Sequence, residues 1–116
     1  MCKWVPVRAM PEVSQACQQV LLVQIVVAEA TGVGLARLCG DKRGQAHTAF
    51  ARQTAMYLCR VVYAMRLGDI ALAFGRDRST AGHAVRRIEE AREHPEFDRR
   101  LTALEAMLQN AGGRHD

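Results

Sequence analysis

The sequence predicts an all-α protein, a compact domain of five to six helices in which two helices are joined by a tight turn. Hydrophobic residues make up 49% of the 116 residues but aromatic residues only 5%, so the core has to be built mainly from aliphatic side chains. These apolar residues recur at intervals of three and four, which is the helical period, and no stretch alternates as a strand would.

The length indicates one domain. We expect residues 11–111 to form it, between a flexible N-terminal arm, residues 1–10, and a polar tail, residues 112–116. The arm contains Pro6 and shows little periodicity. A net charge of +4 permits an anionic partner without requiring one.

The first helix is predicted over Pro11–Thr31. Pro11 suits a first helical position, and Gly32 suits a C-cap. The segment 20–27 is apolar on nearly all sides, which predicts either deep packing or a second face that is shared in a homodimer or with a partner protein. The predicted apolar positions are Val13, Cys17, Val20, Leu21, Ile25 and Ala28.

A short helical turn follows over Val33–Cys39, with Leu35 and Leu38 pointing inward. The polar loop 40–48 carries Lys42 and Arg43. The next helix is predicted over Ala49–Met65, and its buried stripe consists of Ala51, Ala55, Leu58, Cys59, Val62 and Met65.

Arg52 and Gln53 lie near the start of this helix. Free backbone N–H groups and the helix dipole favour an anion there, so the two side chains are candidates to complete a phosphate seat. The alternative is that both are ordinary exposed helix residues.

Two helices joined by Gly75-Arg76-Asp77 are predicted next, a short one over Leu67–Phe74 and a longer one that runs to about Glu93. Pro95 then opens the last helix. The second helix of the pair has an apolar side formed by Ala81, Ala84, Val85 and Ile88. Its polar side carries Arg76, Ser79, Thr80, His83, Arg86 and Arg87. The apolar positions of the last helix are Phe97, Leu101, Leu104, Ala106 and Leu108.

The start of this basic helix combines cations with hydroxyls, an imidazole and a carboxylate. Such a combination is typical of residues that contact base edges. A solvated helix face is the other interpretation. A single-stranded nucleic acid is disfavoured because too few aromatic residues are available to stack on bases.

Signs of enzyme chemistry are lacking. The sequence contains no G-x-x-x-x-G-K-[ST], no G-x-S-x-G and no His–Glu metal motif, so we expect no ATPase or other enzymatic activity, no cofactor, no metal and no small-molecule substrate.

No apolar run is long enough to span a membrane. The four cysteines form no C-x-x-C pair, which favours a reducing cytoplasm, and Cys17 and Cys59 are predicted to be core residues.

Two segments carry a family resemblance. ARQTAMYLCR, Ala51–Arg60, is similar to the helix start A-R-x-R-Q-x-A-M-Y-L. DIALAFGRDRSTAGHAVRRIE, Asp69–Glu89, is similar to the signature E-I-G-x-x-F-G-G-R-D-H-[ST]-T-V-x-H-A-x-x-x-I. On these motifs, residues Ile25–Leu108 resemble the C-terminal, helix-turn-helix DNA-binding domain of the bacterial chromosomal replication initiator DnaA.

The resemblance implies binding to double-stranded DNA and a place on the nucleoid. The residues it matches to base contacts in the major groove are Asp77, Arg78, Ser79, Thr80 and His83. The expected phosphate contacts are Arg52 and Gln53, to which we add Arg76, Arg86 and Arg87. The nearest counterparts of the family's basic minor-groove loop are Lys42 and Arg43.

Three departures from the family pattern stand out. Arg78 replaces a histidine, which predicts a different base preference because arginine prefers guanine or a phosphate. One glycine of the turn is missing after Phe74-Gly75, so the turn is shorter. Gly44 and Gln45 make the basic loop thin, which weakens the expected minor-groove contact.

The family protein also carries an ATPase module and a helicase-loading domain, and this sequence contains neither. We therefore expect a protein that occupies DNA sites and regulates replication initiation or transcription. The alternative is a protein-protein interaction module that docks onto an initiator or regulator and has lost base readout.

Overall fold

Six helices make up the described part of the chain, residues 11–40 and 46–111 of this computed structural model, and no strand occurs in these ranges. The predictions for the arm (1–10), the tail (112–116) and the loop residues Lys42 and Arg43 lie outside the described residues. The all-α prediction is confirmed. The helices are α1 (Pro11–Thr31), α2 (Leu35–Gly40), α3 (Ala46–Tyr63), α4 (Leu67–Phe74), α5 (Arg78–Ala91) and α6 (Pro95–Ala111).

The predicted bounds are confirmed for α1 and α4, and α6 begins at Pro95 as expected. The other bounds shift by one to three residues. The helix predicted from Ala49 begins at Ala46 and ends at Tyr63 instead of Met65. The missed first turn of α3 is polar, and polarity alone made it resemble a loop.

A left-handed residue follows both α1 and α3. Gly32, with φ 78°, follows α1, and its N–H donates to the Ala28 carbonyl oxygen at 2.9 Å. Ala64, with φ 54°, follows α3, although a Cβ makes this conformation unfavourable. The sequence gives a signal for the first position but none for the second.

Helix α3 lies at the centre of the fold and contacts each of the other five helices. Its predicted stripe is confirmed at Ala51, Ala55, Leu58, Cys59 and Met65, which are all buried, and Val62 is partly buried. The core side chains contributed by the other helices include Val23, Val27, Leu38, Ile70, Phe74, Ile88, Leu101 and Leu108.

Helix α1 packs on one side only. Val20, Val23, Gln24 and Val27 form its buried face, at intervals of three and four residues. The predicted core position of Cys17 was wrong, because Cys17 is exposed.

Leu21 and Ile25 lie outside this buried face of α1 and are 47% and 42% exposed. Leu35 on α2 was expected to point inward but is 37% exposed, and Ala106 on α6 is also exposed. Because α1 is apolar on several sides, its sequence does not say which side meets the core, and this explains the errors on α1. No described helix is long and apolar enough to cross a membrane.

Arg92, just after α5, joins three elements. Its Nε donates to Asp98 at 2.5 Å, and its Nη1 donates to Glu105 at 2.6 Å and to the Tyr57 hydroxyl at 3.0 Å. Its Nη2 donates to Thr102 at 2.9 Å. Burial alone lowers the pKa of Arg92, but the hydrogen bonds to Asp98, Glu105 and Tyr57 outweigh burial and raise this pKa. The guanidinium therefore fixes the end of α5 against α3 and α6.

Candidate nucleic-acid interface

A three-residue turn joins α4 to α5. Gly75, with φ 68°, ends α4. Its N–H donates to the Leu72 carbonyl oxygen at 3.2 Å, and the N–H of Arg76 donates to the Ala71 carbonyl oxygen at 2.9 Å. This pair of bonds is a Schellman motif, which requires the left-handed residue that glycine supplies. The turn sets the direction in which α5 leaves α4.

Asp77 caps the N-terminus of α5. Its Oδ1 accepts the backbone N–H of Thr80 at 2.9 Å and the hydroxyl of Ser79 at 3.1 Å. These hydrogen bonds, from Thr80 first and Ser79 second, hold the pKa of the exposed Asp77 carboxyl below its usual value. The N-terminus of α5 therefore presents a charged carboxylate beside two hydroxyl side chains.

The two sides predicted for α5 are separated by its packing. Ala81, Ala84 and Ile88 are buried, and Val85 is half-buried, where α5 contacts α3 and α4. The opposite side is open: its exposed residues include Asp77, Arg78, Ser79, Thr80, His83, Arg86 and Arg87, and Glu89 and Glu90 near the end of the helix are exposed as well. All the residues predicted to contact bases therefore lie on the surface, along one face of α5 and at its N-terminus.

A shallow, open depression lies on this face where α5 meets the first turn of α4. Leu67 and Gly82 line it, together with Arg78, Ser79, His83 and Arg86. No carboxylate is among these lining residues, so an anionic ligand meets cations and a hydroxyl there.

Arg87 lies on the flank of α5 that faces α3. Its guanidinium carbon is 5.6 Å from the centre of the Phe50 ring. Gln53, one turn further along α3, is half-buried. The structure thus places a cation of α5 over the first turns of α3, close to the predicted phosphate seat.

Arg52 does not lie where the sequence interpretation put it. The residue is only 6% exposed, and its guanidinium donates from Nε to the Leu38 carbonyl oxygen at 2.9 Å and from Nη2 to the Arg37 carbonyl oxygen at 2.8 Å. These carbonyls belong to the end of α2, where carbonyl groups lack helical partners. The prediction of a solvent-facing phosphate contact is corrected: Arg52 joins α2 to α3.

Arg76 also folds back on the protein. Its Nη1 donates to the Phe74 carbonyl oxygen at 3.2 Å, and its Nη2 is buried without a hydrogen-bond partner. In this position the guanidinium supports the turn, so Arg76 is not open to solvent as Arg86 and Arg87 are.

Sequence reasoning missed the role of Phe50 beside Arg87. Phe50 also packs against Phe97, with ring centres 5.4 Å apart and ring planes tilted by 52°. A signal was available, because the chain has only three phenylalanines and Phe50 lies outside the predicted stripe of its helix. Such an aromatic residue is a candidate for a contact outside the main core.

Within residues 11–40 and 46–111, no group of three His, Cys, Asp or Glu side chains is arranged to hold a metal ion. Two helices joined by a tight turn, with the second helix presenting an open polar and basic face, define a helix-turn-helix domain of the DNA-binding class.

Comparison with known proteins identifies the family. The chain belongs to the family described as the bacterial dnaA protein helix-turn-helix, whose model matches residues 20–88. It is 41% identical over 91 residues to the chromosomal replication initiator protein DnaA of Aquifex aeolicus. The aligned region covers 76% of this chain and 22% of that protein. Identity to DnaA of Laribacter hongkongensis is 38% over 90 residues, covering 76% of this chain and 18% of the relative.

Solved structures agree in fold. A crystal structure of a DNA replication initiation factor matches 87% of this chain and 31% of its own, with a TM-score of 0.78 and 31% identity. The replication initiator DnaA bound to AMPPCP and single-stranded DNA matches 84% of this chain and 30% of its own, with a TM-score of 0.73 and 32% identity. The chain thus spans about a fifth of the curated relatives given above and about a third of these two structures.

Proposed function

We propose that this protein binds double-stranded DNA at specific sequences, with α5 in the major groove. The single observation that carries the proposal is the open strip of Ser79, Thr80 and His83, which no other described element covers. An α-helix fits the major groove of B-form DNA, and residues at the N-terminal end of a recognition helix contact base edges.

The residues at the start of α5 have distinct chemistry. Asp77 uses Oδ1 for the helix cap, while its Oδ2 has no hydrogen-bond partner among the described residues and suits the N4 amine of cytosine. The guanidinium of Arg78 suits guanine O6 and N7. The methyl group of Thr80 suits the methyl group of thymine.

Phosphates on the two sides of the groove would be held by different elements. Arg86 lies toward α4 beside the depression, and Arg87 lies toward α3. Gln53 is placed to add a hydrogen bond from the start of α3. We further propose that Lys42 and Arg43, outside the described residues, reach the adjacent minor groove.

Occupying DNA sites is the role that this chain's own residues support. We propose that it regulates replication initiation or transcription on the bacterial nucleoid, through DNA binding and without an ATPase step.

The test is selection of bound duplexes from a random library at two salt concentrations, because phosphate contacts dominate raw affinity and depend strongly on salt. We expect one enriched sequence at both. Thr80→Ala should then weaken binding to the enriched site by roughly 5- to 150-fold and relax the preference at one position, in line with ~1–3 kcal/mol for a base contact. Arg86→Ala should instead weaken binding to all sequences about equally.

Arg100→Ala on α6 is the matched control, since it removes the same charge from an exposed site away from α5. Equal binding by wild type and Thr80→Ala at the enriched site would show that α5 does not read bases.

A second candidate function is a protein-protein interaction module, either through a homodimer or through a partner. The observation that favours it is the exposed apolar pair Leu21 and Ile25 on α1. Its signature would be a library selection without any enriched sequence, together with an altered oligomeric state in Leu21→Glu. Enrichment with an unchanged oligomeric state would reject it.

A further inference from the structure

We propose that Phe50 is a positioning residue for DNA binding: its ring holds the guanidinium of Arg87 in place for a phosphate on the α3 side of the groove. The inference rests on the proposed DNA-binding function and adds to it a residue that does not itself touch DNA. Three side chains from three helices form the arrangement, with Phe97 of α6 against Phe50 of α3, and Arg87 of α5 over Phe50.

The ring has a fixed position. Phe50 is half-buried, and its ring centre lies 5.4 Å from that of Phe97, which is itself half-buried. The hydroxyl of Thr54 donates to the Phe50 carbonyl oxygen at 2.9 Å within the same helix. The Phe50 ring therefore lies within contact range of both Phe97 and Arg87.

A cation–π contact draws on the charge of the guanidinium. Arginine has five N–H donors, and a phenyl ring has no lone pair to accept from them, so this contact uses none of them as ordinary hydrogen bonds. Among the described residues, Arg87 forms no hydrogen bond or ion pair, and its contact is the Phe50 ring at 5.6 Å. Its donors remain available to phosphate oxygens.

Arg92 shows the contrasting case within the same protein. Its guanidinium also lies over a ring, that of Tyr57 at 5.8 Å, but its donors are taken by Asp98, Glu105, Tyr57 and Thr102. Arg92 is therefore structural. Arg87 combines a ring contact with open donors, which is the arrangement that a ligand site needs.

The expected benefit is preorganisation. An exposed arginine loses side-chain entropy when it is fixed on a phosphate, and a side chain already held in place loses less. A cation–π contact at an exposed site corresponds to roughly a two- to fivefold effect on an equilibrium constant.

The experiment measures the affinity of the full chain for its selected duplex across a salt series. Phe50→Leu removes the aromatic face and keeps an apolar side chain, Phe50→Tyr keeps the face, and Arg87→Gln removes the charge without touching the core. Arg100→Ala is the control for loss of one positive charge. Thermal unfolding of each variant shows that it is folded at the binding temperature.

We expect Arg87→Gln to flatten the slope of log affinity against log salt by about 0.9, the value for one phosphate contact. Phe50→Leu should weaken binding about two- to fivefold and flatten the slope in the same direction, whereas Phe50→Tyr should bind as wild type does. In the double variant, the added loss from Arg87→Gln should be smaller than in the wild-type background.

Additive effects of the two substitutions, or an unchanged salt slope in Phe50→Leu, would overturn the inference and leave Phe50 as a packing residue. If Phe50→Leu does not fold, two other results still overturn the inference. One is an affinity or salt slope of Phe50→Tyr that differs from wild type, and the other is a salt slope of Arg87→Gln that equals that of wild type. Failure of the DNA-binding proposal looks different, because the wild-type chain itself then enriches no sequence.

Discussion

The carboxylate of Asp77 accepts the backbone N–H of Thr80 at 2.9 Å, so the first turn of α5 is closed by a side chain that is also one of the proposed base contacts. One oxygen completes the helix and the other remains for a ligand. The start of α5 and the proposed reading of bases therefore depend on the same residue.

Asp77→Ala should lower both thermal stability and DNA affinity, since it removes the cap of α5. The pKa of Asp77 is depressed in the folded chain, so its contribution to stability is present above the unfolded pKa of about 3.9 and is lost as pH falls through the lower folded pKa. The difference in melting temperature between wild type and Asp77→Ala should be constant from pH 7 to 5 and shrink below about pH 4. A constant difference down to pH 2 would contradict the role of the charge.

Arg92→Ala should destabilise the protein by about 1–3 kcal/mol, because it removes a partly buried guanidinium and leaves Asp98 and Glu105 without their donor. Urea unfolding measures the change. Arg100→Ala provides the comparison: its contact with Glu96 is 3.7 Å long, both side chains are more than 70% exposed, and the loss should stay below about 0.5 kcal/mol. Similar losses in the two variants would refute the connecting role of Arg92.

Two positions with positive φ should respond in opposite directions. Gly75→Ala places a Cβ where no atom lies within 4 Å, so its cost of about 1–2 kcal/mol comes from the backbone alone. Ala64→Gly removes the corresponding strain at φ 54° and should stabilise the protein by about 0.5–1 kcal/mol, after the added freedom of the unfolded chain is subtracted. Denaturant midpoints measure both changes, and a destabilised Ala64→Gly would exclude strain at Ala64.

The thiols should differ in reactivity. Burial raises the pKa of the Cys59 thiol to about 12, so almost no thiolate is present at pH 8 and reagents have no access to it. Cys17 is exposed. Iodoacetamide at pH 8 should modify Cys17 in the native protein and Cys59 only after unfolding, as peptide mass analysis can show. Rapid native labelling of Cys59 would mean that the α3 core opens locally.

Several features of the fold were predictable from local pattern alone. The bounds of α1 and α4 follow from Pro11, Gly32 and Gly75, whose backbone preferences do not depend on the rest of the fold. The buried side of α5 was predictable because its apolar residues form a single stripe between cations. Cys17, Leu21 and Ile25 were not, since α1 is apolar on several sides and the pattern does not choose between them.

The sequence by itself determined the helices, the turn at Gly75 and the chemistry of the exposed face of α5, because these depend on spacing and on residues near one another in the chain. Only the tertiary structure decided which arginines remain open. Arg52 is drawn into the end of α2 and Arg92 into α6, while Arg87 meets Phe50 across two helices. A guanidinium donates to the acceptors that the fold brings within about 3 Å, and the distance between residues far apart in the chain cannot be inferred from their spacing in the sequence.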